Sequence, residues 1–523
     1  MARVRMTGLA SGLDTESMVK EMVNASSTKV NKAKQDKQKA EWKQEAWQDL
    51  NTKLYNFYKN DLYSFRLAST YNKKSATASN STKVSVSAGS GAPSGTHTVS
   101  VKQTASSAYL TGANIKEGNK TYTVGEGDEA RTFTSADING KTKLSDLNIA
   151  VGTSFSVNDK EFVVEEGTTI DDLAAGLSKL GVNASFDANQ GRFYINSSKS
   201  GEANDFAITS SDAEALETLG IGSAATKVNA QDAIIEYNGV EYRNESNQFS
   251  INGLNITAKG VTGNYNKETG EFTNDSPINI TVANDTDGIY NSIKNFVKKY
   301  NELIDEMNKL YNEEKTDYEP LTDEEKDSLS ETQIEKWEEK AKSGLLRRDS
   351  TIGSLLSNMR TILNKGVTIT NDDGSTTQYT LASLGIVTSN DWTENGKLHI
   401  LGDEDDESYS SETNKLKAAL ESNPDIFSKV FSSGDNGSDG LGKQMYDYMV
   451  EAMKKTSASS SLTFYDDITM KDEINDYDDK IDKLNKKLSE LEDRYYDQFA
   501  KMESAMAKLQ QQQSYLASLM GTS

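Results

Sequence analysis

Ile474-Asn-Asp-Tyr477-Asp-Asp-Lys-Ile481-Asp-Lys-Leu484-Asn-Lys-Lys-Leu488-Ser-Glu-Leu491 opens a run in which apolar residues return every seventh position. Ile474, Ile481, Leu488, Tyr495, Met502, Leu509 and Leu516 form one row. Tyr477, Leu484, Leu491, Gln498, Ala505, Gln512 and Leu519 form a second, three residues on. Alternating three- and four-residue steps put both rows on one helix face, so the pattern predicts a coiled-coil seam from Ile474 to Leu519. Its first half is Ile/Leu-rich. Gln498, Ala505 and Gln512 weaken the second half, which is expected to stay loose until a partner completes it.

The other end of the chain reads as helix too. Ser11-Gly-Leu-Asp14 has the form of a capping box, and no proline or glycine follows it until after Leu67. Trp47, Leu50, Leu54, Phe57, Leu62 and Phe65 keep an approximate three-four spacing, whereas Lys29 to Gln44 is almost entirely polar and predicts a solvated or disordered helix. Two helical ends without local partners predict a stalk in which they pack together. An intramolecular hairpin and packing between chains both remain open for the heptads.

Between the ends, Ser75 to Val282 is rich in Ser, Thr, Asn and Gly with alternating β-branched residues. Lys83-Val-Ser-Val-Ser87 and Thr96-His-Thr-Val-Ser-Val-Lys102 read as strands, Phe155 to Val164 as a hairpin around Asn158-Asp159, and Thr169 to Leu180 as a short amphipathic helix. After Asp285 a helical stripe returns with Ile289, Ile293, Phe296, Val297, Tyr300, Leu303, Ile304 and Met307. Thr322-Asp-Glu-Glu325 then caps a charged helix expected to run through Trp337. Segregated strands and helices predict a multi-domain α+β protein. The expected parts are a terminal helical leg (1–44 and 465–523), a helical bundle-like domain (45–75 and 285–464) and two mostly antiparallel β-rich head modules (76–142 with 229–284, and 143–228).

Composition narrows the function. There are 57 Lys+Arg against 80 Asp+Glu, a formal net charge of −23, which disfavours nucleic acid and anionic membrane as partners. Hydrophobic residues make up 35% of the chain and mean hydropathy is −0.67, values that suit long exposed helices or a thin architecture. With no cysteine, disulfides and thiol chemistry are absent. No apolar run is long enough for a membrane span, and Met1 to Ala10 lacks the apolar core of a cleavable signal peptide. The two histidines, His97 and His399, have no metal-ligand spacing and read as separate structural residues. Asp403-Glu-Asp-Asp-Glu407 lacks the alternating ligands of a calcium loop and reads as a solvated loop. No catalytic, cofactor-binding or metal-ligating residues are expected, so the reading is that of a structural protein, not an enzyme.

The residues laid out above resemble the flagellar filament cap family, also called hook-associated protein 2, in its Gram-positive form. The resemblance rests on Gly8-Leu-Ala-Ser-Gly-Leu-Asp-Thr-Glu-Ser-Met-Val-Lys20, on Gly181 to Asp187 with Arg192 to Ser198, and on Ala233 to Ile256. Asp287 to Met307, Leu321 to Lys326 with Trp337 to Arg347, Leu381 to Ile386 with Gly396 to Leu398, and Lys415 to Phe431 complete the order. One departure is that Ala25-Ser-Ser-Thr-Lys-Val30 lacks the proline that members often carry there.

The resemblance implies a stool-shaped, roughly pentameric homo-oligomer with β-rich heads as a plate and helical legs reaching into the filament. Its partners would be other copies of itself, flagellin, the hook–filament junction protein and an export chaperone. It would leave the cell through the flagellar type III channel, act outside the cell at the distal tip, promote flagellin polymerisation and prevent monomer leakage. Candidate contacts with other copies or with flagellin are Leu13, Met18, Met22, Ile481, Leu484, Leu488, Leu491, Tyr495, Met502, Leu509, Leu516 and Leu519. The rivals are a flagellin or junction protein, which would lack the Trp337 helix and the Leu381-to-Phe431 block, and an adhesin acting through its heads.

Overall fold

The computed structural model describes residues 12, 14–125, 130–371, 373–389, 391–432, 439–519 and 521. The chain forms two compact units, one from Met1–Tyr71 with Thr286–Ser523 and one from Asn72–Asp285.

The first unit is mainly helical. Its N-terminal helix, Thr15–Asn56, starts at Asp14, whose carboxylate accepts from the Ser17 amide at 3.0 Å. That bond satisfies an amide with no partner inside the helix. Ser11, the other expected cap, lies outside the described residues. The helix runs into a π-helical stretch, Phe57–Leu62, before the short turn Tyr63–Phe65. A plain α-helix continuing from Leu54 and Phe57 would turn Asp61 inward. The wider turn brings Leu62 and Phe65 to the core instead, at 0% and 3% exposure. Phe65 stacks on Phe296 with ring centroids 3.6 Å apart and meets Phe431 at 4.8 Å. The stripe Ile289 to Met307 lies on the helix Thr286–Asn312 and is buried there. Helices Ser350–Asn364, Lys415–Ser422, Asp425–Phe431 and Leu441–Ala452, with two small hairpins, complete this core.

The second unit is antiparallel sheet and holds two separate clusters of buried apolar residues. One lies in a five-stranded sheet with Ile234, Ile235 and Tyr237 on a central strand, and in a three-stranded sheet that pairs Val84–Ala88 with Leu254–Ala258. The other gathers around Phe155, Leu173, Leu177 and Phe193, with helix Ile170–Lys179 supplying one wall. The hairpin turns at Asn158, whose φ of 54° suits asparagine. His97 is in this unit and His399 in the other.

Three expectations change. Lys29 to Gln44 is helix, with Val30, Ala33 and Trp42 buried, because partners distant in sequence neutralise its lysines. Lys39 and Lys32 reach Glu319 at 2.7 and 3.3 Å, Lys34 reaches Asp323 at 2.7 Å, and the Gln35 side-chain amide donates to the Pro320 carbonyl at 2.7 Å. Trp337, edge-on to Tyr318, holds this clasp in place by donating to the Glu319 carbonyl at 2.9 Å. The Thr322–Glu325 capping box is present, but its helix is only Asp323–Asp327; a second box at Ser330 starts Glu331–Lys342, which carries Trp337. The acidic run is not simply solvated. Asp403 is buried and paired with Lys294, and Asp406 accepts from His399 at 2.6 Å while Glu394 faces the other ring nitrogen at 3.1 Å.

Replacing Phe296 by alanine removes the ring shared by Phe57, Phe65 and Tyr300 and is expected to cost about 3–5 kcal/mol in denaturant unfolding of the first unit. The clasp predicts a milder, local acid response. Lys39 and Lys34 hold Glu319 and Asp323 below their ordinary values of 4.5 and 3.8. A lowered folded value means that the stabilisation is complete above the ordinary value and lost as pH falls through the lowered one. Hydrogen exchange at residues 29–44, corrected for its intrinsic pH dependence, should accelerate below those values before the core opens. Glu319→Gln should produce much of that loosening at neutral pH.

Candidate assembly interface on the paired terminal helices

The C-terminal helix, Asp467–Leu519, runs antiparallel to the N-terminal helix. Three contacts set the pairing. The Trp47 indole stacks on Tyr465 with centroids 5.3 Å apart and planes 7° off parallel. The Phe464 amide donates to the Asn51 side chain at 2.8 Å, and Lys37 meets Asp478 at 2.7 Å. That last bond raises the Lys37 ammonium above its ordinary value, and burial raises the Tyr465 phenol.

Along the C-terminal helix no residue is buried. Ile474, Tyr477, Ile481, Leu484, Leu488, Leu491 and Tyr495 are half-buried, and they trace the heptad rows read from the sequence. The next half-buried residues are Tyr496, Phe499, Met502, Glu503 and Met506, while Gln498 and Ala505 are exposed. The heptads therefore slip after Tyr495. Steps of three, four and four from Leu488 to Phe499 make an eleven-residue period, which locally unwinds a left-handed supercoil and turns Phe499 inward in place of Gln498. Phe499 and Met506 were missed because a strict seven-residue count was kept past the point where the apolar residues themselves change step.

The face of the N-terminal helix has small buried side chains: Thr15, Val19, Val30 and Ala33 are all at most 5% exposed. Small residues let two helices approach closely, so the larger side chains of the C-terminal helix can stay half-covered without a wide core. The pairing set by Lys37 and Asp478 brings Thr15 level with the region around Ala500. Farther on, Leu509, Tyr515, Leu516 and Leu519 are 57–67% exposed.

The structure therefore separates the candidate contacts into groups. Ile481, Leu484, Leu488, Leu491, Tyr495 and Met502 line the helix pair. Met18 and Met22, at 39% and 44% exposure, point away from it, as do Leu509, Leu516 and Leu519. Leu13 lies outside the described residues. Leu484, Leu488 and Leu491 are half-buried, because one slender helix cannot cover all sides of another. Tyr515 joins the exposed group and was readable as an aromatic next to Leu516. Among the described residues no cluster of His, Cys, Asp and Glu could hold a metal ion, and no helix is long and apolar enough to cross a membrane.

Residues 11–108 match the N-terminal family model of flagellar hook-associated protein 2, and residues 230–511 match its C-terminal model. Flagellar hook-associated protein 2 of Halalkalibacterium halodurans is 28% identical, over 96% of this chain and 97% of the relative. The protein of the same name from Thermotoga maritima is 26% identical, over 99% and 96%. A crystal structure of the flagellar cap protein FliD, domains D1-D2-D3, from Escherichia coli superposes with a TM-score of 0.50 at 19% identity, covering 83% of this chain and 99% of that one. Most of both terminal helices and the helical block containing Trp337 fall inside the matched models, which sets aside the flagellin and junction-protein rivals. The chain belongs to the flagellar hook-associated protein 2 family, the structural caps at the extracellular tip of the bacterial flagellar filament.

Proposed function

We propose that the paired terminal helices are the legs of a homo-oligomeric filament cap, and that the far end of the C-terminal helix seats on other subunits of the assembly. One observation carries this reading: Leu509, Tyr515, Leu516 and Leu519 are each more than half exposed on a helix that ends without a covering element among the described residues. Covering a leucine side chain is worth roughly 1.5–3 kcal/mol, so four such residues are a strong incentive to associate. The partners that fit are flagellin and neighbouring copies of this chain, in a ring of roughly five. The hook–filament junction protein and an export chaperone would be earlier partners of the same protein. The mechanism is mechanical: the legs dock, release and re-seat as flagellin adds beneath the cap, so that filaments elongate and monomer is retained. The terminal pair then acts as a stalk, rooted at Trp47 and Tyr465 and free at the far end. The β-rich unit, in the two head modules read from the sequence, meets its counterparts in neighbouring copies.

Deleting the gene should leave cells with short or absent filaments and flagellin monomer in the medium. Normal filaments without leaked monomer would refute the cap function. Complementation then separates the two parts of the C-terminal helix. Leu484→Ala and Leu488→Ala remove half-buried side chains and should destabilise the purified protein by about 1–2 kcal/mol, roughly half the cost of a fully buried site. A triple alanine variant at Leu509, Leu516 and Leu519 should stay within about 0.5 kcal/mol of the parent in thermal melting, because exposed positions contribute little to folding. It should nevertheless fail to restore filament length. Early melting of the triple variant would mean that this end is packed within the chain.

A further inference from the structure

The helices Thr286–Asn312 and Ser350–Asn364 and the loop at Asn395 border an open surface depression of about 750 Å³ within the first unit. That volume lies in the range of small-ligand sites. Its lining carries three cations, Arg348, Arg360 and Lys365, and no carboxylate. In a chain of net charge −23 this is unusual. Two other lysines of the same unit are matched with acids: Lys397 with Asp305 at 2.7 Å, and Lys294 with Asp403 and Asp405. The three cavity cations have no such ion pair among the described residues.

The two arginines are held by specific features. Gly396, at φ 86°, leaves room for the Arg360 guanidinium, since a Cβ there would stand 2.6 Å from its Nε. One terminal nitrogen of Arg360 donates to the side-chain oxygen of Asn308 at 3.3 Å and to the Asn395 carbonyl. Asn308 is itself buried, and its amide donates to Ile304 at 2.8 Å, which fixes the oxygen toward Arg360. The Arg360 Nε–H is buried without an acceptor.

Arg348 adds an independent sign. Among the described non-glycine residues with positive φ, seven of nine are asparagine, whose short amide tolerates the left-handed region; Arg348, at φ 55°, is one of the two exceptions. Its backbone amide donates to the Tyr311 carbonyl at 3.0 Å, and its guanidinium lies 5.0 Å from the centre of the Tyr311 ring. Backbone strain maintained under a charged side chain at the mouth of a cavity is characteristic of ligand clamps.

We propose that this cavity binds an oxyanion-bearing small molecule, with Arg360 and Arg348 as the planar donors and Lys365 as a third charge. Arginine forks match the paired oxygens of carboxylate or phosphate. Asn312, Asn364 and Ser357 offer hydrogen bonds to the polar body of such a ligand.

The test is calorimetric titration of the full-length protein at physiological salt with inorganic phosphate, citrate and glucose 6-phosphate. Saturable binding of at least one probe is expected, with Kd of about 1 mM or tighter. Citrate alone would identify a carboxylate ligand, and phosphate with glucose 6-phosphate a phosphoryl one. Arg348→Asn is the informative variant, because asparagine relaxes the left-handed backbone. It should melt at or above the parent temperature yet bind the probe at least tenfold more weakly. Lys365→Gln, at the rim, should weaken binding without loss of fold. If no probe saturates by tens of millimolar, or if Arg348→Asn and Lys365→Gln both bind like the parent, the proposal is overturned. It is equally overturned if Arg348→Asn and Lys365→Gln alter self-association alone, for then the cations face another protein chain.

Discussion

The stack of Trp47 on Tyr465 joins the two ends of the chain, and the course of both long helices depends on it. Together with the Asn51–Phe464 hydrogen bond, which closes 413 residues of sequence, it fixes where the terminal helices meet and at what rotation. A closure that long is less costly than it looks, because loop entropy grows only with the logarithm of length, about 0.6 kcal/mol for each doubling. An entire β-rich unit can therefore sit inside the closure without weakening it. On the core side of the stack, Leu50, Leu54, Phe57 and Phe65 are buried among aromatic and aliphatic partners. On the other side the pair is held by small residues, half-covered leucines and ion pairs. Stability consequently falls along the pair from its root outward.

The parts of this plan that depend on near neighbours were legible in the sequence. The stripe from Ile289 to Met307, the Thr322–Glu325 box and the Asn158 hairpin each depend on residues within a few positions, and each forms as its pattern suggests. What could not be read involved partners far away along the chain. Lys32, Lys34 and Lys39 look like a solvated face until Glu319 and Asp323 arrive from almost three hundred residues on. The π-helical turn answers a conflict between the local periodicity, which would bury Asp61, and the core, which needs Leu62. At the assembly interface the first heptads were readable, whereas the slip to Phe499 was hidden by an assumed constant period. How far each leucine is covered depends on the width of the partner helix, and no local pattern encodes that.

The clasp from Tyr318 to Trp337 changes how the weak stretch of the N-terminal helix should be understood. Exposed ion pairs are individually worth about 0–1 kcal/mol, so Glu319 and Asp323 do not lock that stretch. They supply a modest, screenable hold where an apolar seam would have been permanent. The large apolar anchors are Trp42 and Trp47, near the root, with Lys342 over the Trp42 ring at 5.1 Å, and farther out the buried apolar side chains are the small ones of Ala33, Val30 and Val19. The chain thus graduates from aromatic packing, through charge pairing, to uncovered leucines.

That gradient suits the repeatedly docking leg proposed above. If Leu509, Leu516 and Leu519 were packed within the chain, each docking event would first have to break that packing, and the net gain would be the difference between two similar burials. Left more than half exposed, they keep most of their transfer free energy for an incoming surface. The root must in turn resist the pull, and it does so because Trp47, Leu50 and Leu54 belong to the same core as Phe296 and Phe431. Strain applied at the tip meets the half-buried seam first, and the eleven-residue step near Phe499 lies between the covered and uncovered parts of the helix.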